Sequence, residues 1–300
     1  MRTATAILVL TCFTFLRAQT PRLVSPTWVA EHSKDANLVL LQVSQNRKEY
    51  TNGHIPGARF LWWSYLSPDS PDESTSLPTR DDAARVLDDL GVTNSSRIIL
   101  YGGPGIVSLV TRTYLMLEYL GVADRASILN GGLDAWKAEH RPVETGMPAS
   151  VPAKGNVSLT LHPEVIVDVE YVKANLKNPS VAIVDGRAKA AYDGRPGTGQ
   201  KSGHIAGAKN IPFSSLVDSL SRFRSPDSLA KLFAEAGVPS GKKIVTYCWV
   251  GQQATVSLFA AKMLGYDARL FDGSWEIWSA MDDSYPAETT PPQHPSGKRP

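Results

Sequence analysis

Cys248, followed by Trp249, Val250, Gly251, Gln252, Gln253 and Ala254, is the stretch of this chain best suited to chemistry. The run Lys243-Ile-Val-Thr-Tyr247 before it reads as a buried strand. The run after it carries Val256, Phe259, Ala260, Met263 and Leu264 at the spacing of an amphipathic helix. A thiol placed between strand end and helix start faces the unpaired N–H groups of the helix's first turn. Those groups and the helix dipole favour negative charge, so the thiol is expected to ionise more readily than a free one. The bland alternative, still open on these residues alone, is a cysteine packed as a small hydrophobe.

The elements that would position this thiol recur along the chain. Asn37–Val43, Arg97–Tyr101 and Ala126–Asn130 read as strands, with helices at Asp81–Leu90, Val107–Leu120 and Leu133–Glu139. After a Pro-, Gly-, Ser- and Thr-rich stretch the order returns. A helix is expected at 164–176, then strands at Val181–Val184, Lys243–Tyr247 and Ala268–Phe271, with helices at Asp227–Ala236 and Gln253–Leu264. Short motifs repeat in the same order. Gly53-His-Ile-Pro-Gly-Ala58 matches Gly203-His-Ile-Ala-Gly-Ala208, and Arg97–Tyr101 matches Lys243–Tyr247. Asn130-Gly-Gly-Leu-Asp-Ala-Trp136 matches Asp272-Gly-Ser-Trp-Glu-Ile-Trp278. The chain therefore reads as a duplicated α/β domain, each copy a mostly parallel central sheet flanked by helices. In such sheets the site lies at the carboxyl ends of the strands, where Tyr247 hands over to Cys248. Gly102 stands in the first copy where Cys248 stands in the second, so thiol chemistry belongs to the second copy alone.

The expected boundaries are a leader at 1–18, a first domain at 19–140 and a linker at 141–163. A second domain at 164–285 and a structureless tail at 286–300 complete the division. Arg2, an apolar run over 6–16 and Ala18 before Gln19 have the form of a secretory signal, so export to a periplasm or medium is expected. That segment holds two arginines and no acids. Removing it from a chain of 31 basic and 29 acidic residues leaves 29 of each. Nothing in that balance suggests a nucleic-acid partner, nor a membrane partner once the leader is gone. Cys12 would leave with the leader, making Cys248 the only cysteine, and an unpaired thiol in an exported protein is a candidate for reactivity. The six histidines show no metal-ligand spacing. Gly102-Gly-Pro-Gly105 lacks the third spaced glycine of a dinucleotide fingerprint.

The twin Gly-His-Ile-x-Gly-Ala turns, Val184-Asp-Gly-Arg187 at a strand end, the Cys-x-x-Gly loop and Asp272-Gly-Ser-Trp275 together resemble the tandem rhodanese-like sulfurtransferases, across roughly residues 35–140 and 164–280. The resemblance implies an inactive first domain and a catalytic second one. Cys248 would take a sulfur from a small-molecule donor as a persulfide and pass it to a thiol or cyanide, with no cofactor and no metal. Thiosulfate is preferred over 3-mercaptopyruvate as donor. Residues 249–254 would surround the sulfur, Arg187 would grip the donor anion or pair with Asp185, and Asp185 and His54 would support the site. Trp249 and Val250 depart from both the basic residues of thiosulfate loops and the Gly-Ser/Thr pattern of mercaptopyruvate loops. Gln252 and Gln253 could offer neutral donors or form only the helix's polar start. A phosphatase loop, Cys-x5-Arg, is disfavoured because Ala254 holds the arginine position. A non-catalytic binding or redox-sensing module is the alternative class.

Overall fold

The computed structural model describes residues 21–69, 75–148, 152–194 and 201–290. The expected leader at 1–18 and the last ten residues of the expected tail lie outside them. The first half runs β1 (Leu23–Val24), α1 (Pro26–His32), β2 (Leu38–Ser44), α2 (Arg47–Asn52) and β3 (Arg59–Trp62). It continues with α3 (Arg80–Asp89), β4 (Arg97–Tyr101), α4 (Val107–Tyr119), β5 (Ala126–Leu129) and α5 (Gly132–Ala138). The second runs β6 (Ile166–Val167), α6 (Val169–Asn175), β7 (Val181–Asp185), α7 (Lys189–Tyr192), β8 (His204–Ile205), β9 (Lys209–Asn210) and α8 (Pro226–Glu235). It ends with β10 (Lys243–Tyr247), α9 (Ala254–Met263), β11 (Asp267–Phe271), α10 (Ser274–Ala280) and β12 (Ala287–Glu288).

Each half builds a five-stranded sheet with the same wiring, β1-β5-β4-β2-β3 in the first and β6-β11-β10-β7-β9 in the second. All pairs within these sheets are parallel. The central strands β2, β4, β7 and β10 are mostly apolar, as burial on both faces demands. A short strand, β6, precedes α6 where the sequence suggested only helix. Asp168 caps α6 by accepting from the Tyr171 N–H, so the helix cannot begin at 164.

Helix ends repeat as well. Leu90-Gly91-Val92 after α3 and Ala236-Gly237-Val238 after α8 close with the same two bonds. Gly91 N–H donates to the Asp88 carbonyl and Val92 N–H to that of Leu87; Gly237 and Val238 do likewise with Ala234 and Phe233. Both glycines have left-handed φ, +68° and +79°, which the closure requires.

The two halves share one core. Helices α4 and α9 pack side by side in the same direction. Thr111 and Thr255, each ten residues before its helix-ending glycine, meet at 2.7 Å between hydroxyls. Glu118 and Lys262, each three before it, form an ion pair at 2.6 Å. Equivalent positions meeting across a contact mark a pseudo-twofold axis. The expectation of an amphipathic α9 is corrected: Ala254 through Ala261 are all buried, because α4 covers the face a lone domain would leave wet. One apolar cluster therefore runs from Leu41 and Leu100 in the first half to Val184 and Ile244 in the second.

The expected linker is strapped to the first half along much of its length. His54 and Glu144 exchange both backbone bonds at 2.9 Å, Gly155 N–H donates to Asp88, and His162 N–H donates to Tyr119. The expectation of a structureless tail from 286 is corrected for its first residues. Ala287–Glu288 pairs antiparallel with His204–Ile205, which places Glu288 opposite His204 as Glu144 lies opposite His54. The repeat extends one pairing beyond the short motifs that reveal it.

Candidate active site

Cys248 follows β10 directly, between β7 and β11. It is fully buried. Its backbone N–H donates to the Ser274 hydroxyl at 3.1 Å, and its carbonyl accepts from the Trp275 N–H at 3.0 Å. Ser274 adopts a left-handed φ of +49°, where the first half uses Gly132 at +54°. Its hydroxyl also donates to the Phe271 carbonyl at 2.9 Å. The two bonds offset a backbone conformation that costs a non-glycine residue about 1–3 kcal/mol.

The loop then wraps the sulfur. Backbone N–H groups of Ala254, Val250 and Gln253 hydrogen-bond to the thiol and favour its charged form. Burial outweighs them and pushes the Cys248 thiol above its ordinary value, with the Asp185 carboxylate adding to the rise. The expectation of an easily ionised thiol is thus corrected. The donors are present, but the closed loop keeps water out, so the resting sulfur is a protonated thiol at neutral pH. The arrangement suits an anion that enters and takes those N–H groups in place of water.

Arg187 is not at an open mouth. It is fully buried, and its Nη2 donates to Asp185 Oδ2 at 2.6 Å and to the Gly203 carbonyl at 2.7 Å. Its guanidinium lies 4.7 Å from the Trp249 ring centroid and 4.5 Å from that of Trp275. Burial works against its charge, but hydrogen bonds to Asp185 and that residue's charge hold its pKa above the ordinary value. The ion pair with Asp185, open as an alternative from the sequence, is the observed arrangement, and Trp249 serves as its aromatic cover. Tyr247 is the third member of this cluster. Its hydroxyl accepts from the Ile205 N–H at 3.0 Å, as Tyr101 accepts from Ile55 in the first half. There, neutral Gln42 takes the place of Asp185 as partner of the tyrosine.

His54 does not join the site. It stacks on Tyr50 at 4.0 Å and bonds the Tyr50 carbonyl, a role His204 repeats on Tyr192 at 3.6 Å. Both hold their turns. Gln252 reaches into the first half, donating to the Ser108 hydroxyl at 3.2 Å, while Gln253 stands half-buried at the start of α9.

Sequence reasoning missed site residues in both halves: Tyr247, Ser274 and Trp275 in the second, and several more in the first. Thr75 donates to the Val250 carbonyl at 2.7 Å, Ser108 and Thr111 bond Thr255, and Arg112 grips Asp272 with both terminal nitrogens. One signal could have pointed there: Arg112 is the only basic residue of the helical stretch Val107–Tyr119. Among the described residues, no cluster of three or more His, Cys, Asp and Glu could hold a metal.

A buried cysteine sits at a strand end, beside a helix start and covered by a duplicated partner domain, on a tandem α/β fold. The chain belongs to the rhodanese-like family, whose domain model, "Rhodanese-like domain", matches residues 25–139 and 168–281. A 3-mercaptopyruvate sulfurtransferase of Escherichia coli is 32% identical over 87% of this chain and 95% of its own length. A thiosulfate sulfurtransferase of Azotobacter vinelandii is 30% identical over 89% of this chain and 97% of its own. The sulfur carrier protein TtuD of Thermus thermophilus is 30% identical over 86% and 94% respectively. The wild-type structure of EanB shares the fold, with a TM-score of 0.77 at 23% identity over 90% of this chain and 70% of that one. The chain is a tandem-domain sulfurtransferase by family and architecture.

Proposed function

We propose that Cys248 carries the sulfur. The Cys248 thiol gives up its proton, which the departing sulfite can take, and its sulfur attacks the outer sulfur of thiosulfate; the new S–S bond forms as the old one breaks, and sulfite leaves with the electron pair. The resulting persulfide, Cys–S–S⁻, is held by the N–H groups of Val250, Gln253 and Ala254. Cyanide or a thiolate then attacks the terminal sulfur and releases the Cys248 thiolate. The observation that carries this reading is the ring of three backbone N–H donors on a buried, unpaired sulfur. Thiosulfate is the preferred donor over 3-mercaptopyruvate. A compact dianion can be met by backbone N–H groups and by Gln252 or Gln253, whereas a carboxylate donor calls for a free guanidinium. The one in this cluster has Nε and Nη2 engaged by Asp185 and Gly203, which leaves only the buried Nη1 unpartnered.

Incubation with thiosulfate is expected to add one sulfur atom to Cys248, read by intact-mass and peptide spectrometry. kcat/KM for thiosulfate should exceed that for 3-mercaptopyruvate on the same preparation. Thiocyanate formation by Cys248→Ser at the parent rate would overturn the assignment. The complete burial of Cys248 favours a second reading, a binding or redox-sensing module without turnover. It predicts neither the sulfur adduct nor thiocyanate from the fully reduced protein. We also infer export, supported by the basic start and apolar run of the first 18 residues. N-terminal sequencing of protein from the extracytoplasmic fraction should read from Gln19, and a retained leader there would refute it.

A further inference from the structure

Arg112 is the only charged residue among the eleven buried residues of α4. A cation at that depth persists only if fully paired. Its Nη1 and Nη2 grip both oxygens of Asp272, the second at 3.0 Å, and its Nε donates to the Ser67 hydroxyl at 2.7 Å. Asp272 belongs to the other half, directly after β11. The loop around Cys248 rests on this pair. A Cβ at Gly251 would lie 2.3 Å from Asp272 Oδ1 and 3.4 Å from Arg112 Nη1, so only a bare backbone fits the turn. Gly251 follows Val250 and precedes Gln253 by two residues, and both of these aim N–H groups at the sulfur. Two further first-half contacts, Thr75 to Val250 and Ser108 to Gln252, hold the same few residues.

The asymmetry between the halves makes this more than packing. Asn130, the first-half counterpart of Asp272, carries no charge and accepts only the Phe223 N–H at 2.8 Å. Helix α9 has no charged residue among those it buries. Among the described residues, a buried ion pair between helix and loop occurs beside the loop that has a thiol and not beside Gly102.

We propose that Arg112 is a positioning residue of the sulfur-transfer site: through Asp272, the first domain sets the Gly251 turn and so the aim of the N–H groups around Cys248. This rests on Cys248 as the sulfur carrier. The first domain is then a working part of the site, acting through a guanidinium that never touches the donor.

Three full-length variants test it. Arg112→Lys keeps the charge but cannot engage both carboxylate oxygens. Arg112→Met combined with Asp272→Leu removes both charges, a replacement buried pairs generally tolerate. Ser67→Ala removes only the acceptor of Nε. Thiocyanate assays should show kcat lowered about tenfold in Arg112→Lys and more in the double variant, with KM for thiosulfate within about twofold, as for an interaction made in the transition state. Iodoacetamide alkylation of Cys248 should change the opposite way, its pH midpoint moving down toward that of a free thiol as the loosened loop admits water. Ser67→Ala should show both effects at the smallest size.

A double variant that melts with the parent and keeps the parent's kcat and alkylation profile overturns the proposal. If that variant fails to unfold cooperatively, unchanged profiles in both Arg112→Lys and Ser67→Ala overturn it equally. Alkylation requires no sulfur transfer. A parent that transfers no sulfur would therefore sink the assignment of Cys248, while the alkylation shift still decides the role of Arg112.

Discussion

The loop at Gly102 and the loop at Cys248 share one backbone and differ in what fills it. Gly105 and Gly251 occupy the same step with φ of +72° and +78°. The carbonyl of Gly102 accepts from Leu133 N–H at 2.9 Å, as that of Cys248 accepts from Trp275 at 3.0 Å. In the first half, however, Ile106 and Val110 close over the place a side chain would take; a Cβ at Gly102 would meet them at 2.7 and 2.9 Å. A cavity of about 20 Å³ remains there, bordered by Phe223 from the other half. The same turn can thus surround a thiol or be filled by hydrocarbon. Side chains delivered from outside the turn decide which.

The sharpest way to break that comparison is to move the thiol. A variant with Cys248→Ser and Gly102→Cys should form thiocyanate only at background, a loss of roughly a thousandfold or more. Transfer by this variant would show that the backbone alone makes the site. Next in size, Arg112→Met by itself leaves the Asp272 carboxylate buried and unpaired. It should cost about 3–5 kcal/mol in urea unfolding. The matched glycines come third. Gly105→Ala meets nothing within 4 Å and should cost about 1 kcal/mol for its φ alone. Gly251→Ala also drives a methyl into Asp272 and should cost about 3 kcal/mol. Equal costs would mean that the two turns are equally free.

The smallest effect is in pH. With the folded thiol above its ordinary value of 9.0, Cys248 alkylation should reach half its limiting rate above pH 9. The folded state then holds its proton longer than the unfolded chain. Its contribution to stability is complete below the ordinary thiol range and is lost as pH rises through the folded value. A midpoint below 9 would mean that the N–H donors outweigh burial.

Periodicity and repeated motifs made both sheets, most helix spans and the Gly102/Cys248 contrast legible before any coordinates. These signals are local, and the fold obeys them. What was illegible depends on residues distant in the chain. Nothing in the residues around Arg187 says that Trp275, far along the chain, comes to lie against its guanidinium. The thiol's ionisation was misjudged for a related reason. The helix start was visible in sequence, but the degree of closure of the loop was not, and closure sets the sign. Arg112 went unremarked in the sequence, because its partner lies 160 residues away. The strap at 141–163 and the pairing of Ala287–Glu288 were missed because two-residue bridges carry no periodicity.

The shared core of α4 and α9 has a consequence for synthesis. The first half leaves the ribosome with α4 already formed and its α9-facing surface uncovered until the second half follows. For that interval the nascent chain presents an apolar face including Tyr114, whose destined neighbour Phe259 does not yet exist. A chain built this way matures as one body late in translation. Its early half is then the stage with the most apolar surface uncovered.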